Sequence, residues 1–169
     1  LSADFDLTLA IDQRPEARAR VDEHLAGLLA RVNVISAYHE SGRLRGVNQT
    51  DTVAVCRDLA GAGRVLLCCF DEIASACARR AAFGLMPPAS LRGVTGGIYI
   101  RPRILAGNRW TFNHWVKKHG FDRLMKQGWF RPLLLLDEYL CRQLKAQSPA
   151  APYFFLPDSC EEIRGVNAA

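Results

Sequence analysis

Short apolar runs alternate with longer segments of helical periodicity along the chain. The run Phe5–Ile11 alternates apolar and polar residues and predicts a strand, whereas Pro15–Arg31 carries Val21, Leu25 and Leu28 at helical spacing. Further strands are predicted at Val32–Ala37, Val65–Phe70, Val94–Ile100, Leu133–Leu136 and Tyr153–Leu156. Further helices are predicted at Asn48–Ala60, Asp71–Phe83, Arg109–Gln127 and Glu138–Gln147.

Strands separated by helices of this length indicate right-handed crossovers between parallel strands. The expected fold is therefore α/β, a three-layer Rossmann-like domain with a mainly parallel sheet and helices on both faces. Val65–Phe70 is apolar throughout, as a strand covered on both faces should be. The glycines of Val94–Ile100 predict close approach by another backbone. Thr50 or Asp51 is the expected cap of its helix, which Gly61 should end.

Length and composition favour one globular domain. The chain has 169 residues, of which 49% are hydrophobic and 23% charged. We expect a single domain over residues 1–160 and a linker or frayed tail over 161–169. No apolar run approaches the ~18 residues of a membrane span, and the start carries no charged-then-apolar leader. A cytoplasmic protein is expected, and the start at Leu1 suggests trimming upstream.

The six cysteines favour free thiols over disulfides. Cys68 and Cys69 lie in an apolar run and Cys56, Cys77 and Cys141 in predicted helices, while Cys160 lies near the end. There is no Cys-x-x-Cys pair and no Cys/His spacing typical of zinc sites. The cysteines are therefore predicted to act as small hydrophobic residues in a reducing compartment, and no metal site is expected.

A net charge of +5 bears on the partners of the chain. The basic residues concentrate at Arg101–Arg109 and Lys117–Lys126, with aromatic residues between them. A solvated basic face, an anionic membrane surface and a phosphate-bearing substrate all remain open explanations. Nucleic acid is an unlikely partner, because no RNA-binding or helix-turn-helix signature is present.

Charged residues follow the predicted strands, where α/β sheets usually bind ligands. They are His39, Glu40, Asp71, Glu72, Arg101, Arg103, Asp137, Glu138 and Asp158. Asp71 and Asp137 stand where helices begin, so helix capping is an alternative role for both. Arg101 and Arg103 are suited to phosphate or sugar hydroxyls, with pairing to a carboxylate as the alternative. His114 and His119 are expected to be surface or partly packed residues.

Several common enzyme motifs are absent. The sequence contains no Gly-x-Gly-x-x-Gly, no P-loop Gly-Lys-Ser/Thr and no His-Glu-x-x-His. It also lacks the Gly-x-Ser-x-Gly elbow of α/β-hydrolases. Familiar dinucleotide binding, P-loop phosphoryl transfer and zinc-dependent or serine hydrolysis are thus disfavoured.

The chain has three segments, Gly96–Pro102, Val65–Glu72 and the stretch from Leu133 to Asp158, that resemble parts of the N-terminal lobes of bacterial GT-B glycosyltransferases. Gly96–Pro102 is similar to a Gly-Ile-aliphatic-aromatic-Arg-Pro stretch of such lobes. Leu133–Leu140, followed after about 12 residues by Tyr153–Asp158, resembles the end of such a lobe, and Val65–Glu72 resembles its strand ending in Asp. The similarity covers Asn48 to Asp158, without the glycine-rich first loop of the family.

The resemblance implies an acceptor-side lobe that would be inactive alone. From their places after predicted strands, Asp71 and His39 are the catalytic candidates, since either could hydrogen-bond the acceptor. The substrate-binding candidates are Glu72, Arg101, Arg103, Asp137 and Glu138. The chain itself would hold no cofactor, and the nucleotide-sugar donor would bind mostly the missing C-terminal lobe. A sugar or glycolipid acceptor is implied, with peripheral contact at the inner face of the membrane through Trp110–Trp129 as an option beside a buried aromatic helix face. The alternative is a stand-alone α/β binding or regulatory module for a phosphorylated ligand or a protein partner.

Overall fold

A computed structural model describes residues 6–106 and 111–157. The chain forms two compact units, Leu1–Gly63 and Arg64–Ala169. Both contain parallel strands joined by helices, so the predicted α/β fold is confirmed and is consistent with a Rossmann-like three-layer arrangement. The predicted single domain over 1–160 stays a prediction, and the expected tail at 161–169 lies outside the described residues.

The first unit is built from two strands and two helices. Strand β1 (Thr8–Ile11) leads into helix α1 (Pro15–Leu29), and strand β2 (Asn33–Ser36) returns parallel to β1. Helix α2 (Gln49–Ala60) follows, ended by Gly61 in the left-handed conformation at φ 63°. The carboxyl ends of β1 and β2 therefore share one edge of this small sheet.

The cap of α2 differs from the prediction. Asn48 caps the helix, because its side-chain oxygen accepts hydrogen bonds from the amides of Thr50 and Asp51. The predicted caps, Thr50 and Asp51, lie in the first turn instead. The error is two or three residues along the chain, since all three residue types favour helix starts.

The second unit begins with strand β3 (Val65–Leu67), helix α3 (Phe70–Ala82) and strand β4 (Thr95–Tyr99), followed by the short helix α4 (Arg103–Ala106). Strand β3 is shorter than predicted. Phe70 belongs to α3, where its fully buried ring packs in the core, so the chain leaves the sheet before it. Helix α4 was not predicted.

The rest of the second unit comprises helix α5 (Phe112–Lys126), strand β5 (Phe130–Leu135), helix α6 (Glu138–Gln147) and strand β6 (Tyr153–Phe155). The four strands pair in the order β3-β4-β5-β6, and every pair is parallel. All four carboxyl ends therefore meet at one edge, which is the condition for the predicted rim.

The core of the second unit lies between the sheet and α3 and α5. Phe70 makes edge-to-face contacts with Tyr99 and Phe130, with ring centroids 5.3 and 4.9 Å apart. Phe121 and Leu133 are also fully buried in this cluster. These aromatic side chains supply much of the apolar area that stabilises the unit.

Glycines allow the closest contacts around this core. A Cβ on Gly96 would lie 2.7 Å from the carbonyl oxygen of Pro132, which confirms the predicted close backbone approach at β4. At Gly97 the neighbour is a side chain, because a Cβ there would lie 2.4 Å from the ring of Phe70. On α5, a Cβ on Gly120 would lie 1.8 Å from the carbonyl oxygen of Ala78 on α3.

The solvent exposure of residues in and after β3 differs from what the sequence predicted. Leu66 is 54% exposed, so this strand is not covered on both of its faces. Cys68 and Cys69, predicted to be buried, are exposed because they follow the end of the strand rather than lying within it. Cys56, Cys77 and Cys141 are buried free thiols, as predicted, and burial raises the pKa of Cys77 to about 12. Cys160 lies outside the described residues.

Candidate functional site at the carboxyl edge of the four-stranded sheet

Asp71 connects the start of α3 to the end of β4. Its carboxylate accepts hydrogen bonds from the amide of Arg101 at 2.8 Å and from the amide of Ile100 at 3.2 Å. The predicted alternative for Asp71, capping of its own helix, is not what the structure has, since Cys69 occupies the cap position of α3 without a side-chain cap. Asp71 instead fixes the backbone that leaves the neighbouring strand.

Two guanidinium groups are carried on the segment that Asp71 fixes. Arg101 and Arg103 are both exposed, and the amide of Arg103 donates to the carbonyl oxygen of Arg101 at 2.6 Å. Within residues 6–106 and 111–157, neither guanidinium forms an ion pair. Asp71 thus binds the backbone amide of Arg101, and neither arginine makes the alternative pairing to a carboxylate among the described residues.

Tyr99 lies beneath this loop with only 1% of its surface exposed. Burial, and next the negative charge of Asp71, raise the pKa of its phenol. The side chain therefore stays neutral at physiological pH. It also contributes to the core through its edge-to-face contact with Phe70.

The acidic residues after β5 have local partners. Asp137 caps α6, since its carboxylate accepts a hydrogen bond from the amide of Leu140 at 2.9 Å. Glu138 pairs with Arg142 at 2.6 Å on the exposed surface of the same helix. The capping alternative is therefore confirmed for Asp137, which remains exposed at the rim and can still meet a ligand. Glu72 is exposed in the first turn of α3.

His39 and Glu40 belong to the first unit. Both are exposed in a turn after β2, where the amide of His39 donates to the carbonyl oxygen of Arg43 at 2.8 Å. The turn is closed by an antiparallel bridge between Tyr38 and Leu44. His39 thus follows its strand as predicted. Asp158, the remaining rim residue of the prediction, lies outside the described residues.

The sequence interpretation missed a charged pair in the first unit. Asp12 follows β1 directly and binds the guanidinium of Arg14 at 2.6 Å, and this guanidinium lies 4.3 Å from the ring centroid of Tyr38. The hydrogen bond from Arg14 holds the pKa of Asp12 below its usual value. The sequence carries a signal for this pair, because Asp12 directly follows a predicted strand, as Asp71 and Asp137 do.

The aromatic residues of α5 divide between core and surface. Phe121 is fully buried, whereas Phe112 and Trp115 are 78% and 60% exposed. Trp115 stacks on Phe112 and on His119, with centroids 6.2 and 5.6 Å apart. The predicted buried aromatic face is therefore correct for the second half of the helix only. His119 is exposed and His114 half-buried, as predicted, while Trp110 lies outside the described residues.

Comparisons with known proteins do not assign the chain to a family. No family model matches the chain, and no curated protein or solved structure is significantly similar to it. Among the described helices, none has the length and apolar character needed to cross a bilayer. The described residues also bring together no group of three His, Cys, Asp or Glu side chains suited to a metal ion.

Proposed function

We propose that this chain is the acceptor-side lobe of a glycosyltransferase that uses a nucleotide sugar. The observation that carries the proposal is the pair of hydrogen bonds from Ile100 and Arg101 to Asp71. They hold the segment that resembles the family at the edge where parallel sheets bind ligands. In this proposal the nucleotide-sugar donor binds mainly a second lobe, as the resemblance implies.

Three residues of the rim, Asp71, Arg101 and Arg103, have a role in the proposed reaction. The acceptor hydroxyl attacks the anomeric carbon, the bond to the nucleoside diphosphate breaks, and the hydroxyl proton passes to a base. Arg101 and Arg103 would orient the acceptor or balance diphosphate charge, because unpaired guanidinium groups bind such oxygens well. Asp71 has both carboxylate oxygens engaged by backbone amides, which favours a positioning role over that of the base. Catalysis by His39 stays a prediction.

The first test is sugar transfer by the protein that carries this chain. A panel of radiolabelled nucleotide sugars is incubated with the protein and a cell extract as the source of acceptor, and labelled product is measured. With an active donor, Arg101→Ala should reduce kcat/KM about 10-fold to 100-fold, because a charge-assisted hydrogen bond contributes that much. Arg79→Ala is the matched control, since Arg79 is an exposed arginine at the far end of α3.

In the same assay, substitutions of Asp71 distinguish a role in positioning the backbone from a direct role in the reaction. Asp71→Asn keeps an oxygen that can accept from one amide, and Asp71→Ala keeps none. A positioning role predicts partial activity for the asparagine variant and a loss similar to that of Arg101→Ala for the alanine variant. Transfer from no donor, or equal rates for Arg101→Ala and Arg79→Ala, would contradict the proposal.

We also propose peripheral contact with anionic membrane through the start of α5. Phe112 and Trp115 are exposed there, and Lys117 and Lys118 follow in the same helix. Trp115→Ala should weaken binding to phosphatidylglycerol vesicles about tenfold, because the indole would lose its apolar burial. Tyr139→Ala, which removes an aromatic ring that is 72% exposed on α6, is the control in co-sedimentation. Equal partitioning of both variants would refute the contact.

A further inference from the structure

A cleft of about 350 Å³ lies between α5 and α6 in the second unit. Its floor is formed where β5 and β6 begin, at Arg131 and Tyr153, so it opens near the amino ends of these strands. None of Asp71, Arg101 and Asp137 lines it. Its volume is within the range of small-molecule sites, roughly 300–1,000 Å³. The cleft is therefore large enough for a small-molecule ligand.

The charged groups of the cleft are mainly cationic. Lys118, Lys126 and Arg131 line it together with one carboxylate, Asp122. Lys118 lies 3.8 Å from that carboxylate and is partly neutralised by it. Over the described part of the chain, Lys126 and Arg131 form no ion pair. Two cations without an ion pair to any described residue thus line the cleft, which favours an anionic ligand.

Tyr153 adds a hydrogen-bonding group to the lining of the cleft. The residue is only 7% exposed, and burial, with a smaller effect of Asp122, raises the pKa of its phenol to about 12. No hydrogen bond joins its hydroxyl to any described residue. Every fully buried polar side-chain atom among the described residues has a partner, so the hydroxyl must retain access to the cleft. The hydroxyl is thus open to solvent and can donate a hydrogen bond to a ligand in the cleft, which Tyr153 lines.

We propose that this cleft binds a phosphate group, held by Lys126 and Arg131 with a hydrogen bond from the Tyr153 hydroxyl. The remaining walls include apolar side chains such as Leu105, Met125 and Leu144, which suit the carbon skeleton attached to the phosphate. A soluble phosphate monoester and a phosphate lipid headgroup share this chemistry. The proposal goes beyond sugar transfer and does not depend on it.

The test measures phosphate binding by the full chain. Isothermal titration with inorganic phosphate and with glycerol 3-phosphate addresses a soluble source. Co-sedimentation with phosphatidylcholine vesicles, with and without phosphatidic acid, addresses a lipid source. We expect saturable binding in one arm, weakened by salt. The double substitution Lys126→Gln, Arg131→Gln should raise the dissociation constant at least about tenfold, because it removes charge-assisted contacts.

Two further variants make the result specific to the cleft. Tyr153→Phe removes only the hydroxyl and should weaken binding about 3-fold to 10-fold. Arg79→Gln, Arg80→Gln removes the same charge from exposed positions outside the cleft and should bind as the unchanged protein does. Circular dichroism verifies that each variant is folded.

Saturable binding to either soluble probe supports a small phosphorylated ligand. Binding only to phosphatidic acid vesicles supports a lipid in the cleft when the cleft double variant loses it and the control double variant keeps it. Absence of binding in both arms overturns the proposal, as does equal loss in the cleft and control double variants. Phosphate binding without sugar transfer would favour a binding module over a transferase lobe, so the two proposals fail independently.

Discussion

Gly120→Ala should destabilise the second unit by about 3 kcal/mol. In an open helix the same change would stabilise by roughly 0.5–1 kcal/mol, because alanine has the higher helix propensity. The sign reverses here because the new Cβ would lie 1.8 Å from the carbonyl oxygen of Ala78. That atom belongs to the backbone of α3, so α3 and α5 would have to separate.

Urea unfolding followed by circular dichroism measures this effect, with Gly27→Ala as the control. Gly27 also lies within a helix, α1, and nothing lies within 4 Å of the position of its Cβ. The Gly27→Ala variant should therefore have the same free energy of unfolding as the original protein, or a higher one. A Gly120→Ala variant at least as stable as the original protein would show that the two helices are not packed this closely.

Phe70→Ala should cost about 3–5 kcal/mol of the free energy of unfolding. The ring is fully buried and makes edge-to-face contacts with Tyr99 and Phe130, so its removal leaves a cavity as well as lost contacts. Phe83→Ala is the matched control, because Phe83 directly follows the same helix and is 75% exposed. The Phe83→Ala change should alter the free energy of unfolding by no more than about 0.5 kcal/mol.

A double-mutant cycle extends the Phe70 prediction. Gly97→Ala alone should be strongly destabilising, since its Cβ would lie 2.4 Å from the Phe70 ring. In the Phe70→Ala background the same change should cost much less, because the obstructing ring is gone. Additive free energies would contradict this contact, since neighbouring residues normally couple.

The elements best predicted from the sequence are those with complete local signals. Helix α6 has the predicted bounds, Glu138–Gln147, because Asp137 supplies a cap and the apolar residues keep helical spacing. Strand β3 was predicted three residues too long, because the apolar run continues through Phe70. Phe70 belongs to a helix because its ring packs over Gly97 of the next strand, β4. The order of apolar and polar residues along the chain does not reveal that contact.

The site shows the same division between local and distant signals. The position of Asp71 at the start of a helix follows from the sequence. Its hydrogen bonds from the Ile100 and Arg101 amides do not, because these residues are 29 and 30 positions away along the chain. The phosphate cleft was missed for the same reason. Lys126, Arg131 and Tyr153 match no motif, and they line one cleft only because the fold places α5 beside the amino ends of β5 and β6.

The strand order of the second unit determines when each strand can pair during synthesis of the chain. Strands β3, β4, β5 and β6 stand in the sheet in the order in which a ribosome produces them. Each new strand thus finds its partner already synthesised, and no pairing waits for a segment from the far end of the chain. Because closing short loops costs less entropy than closing long ones, this sheet can grow strand by strand from its first edge during translation.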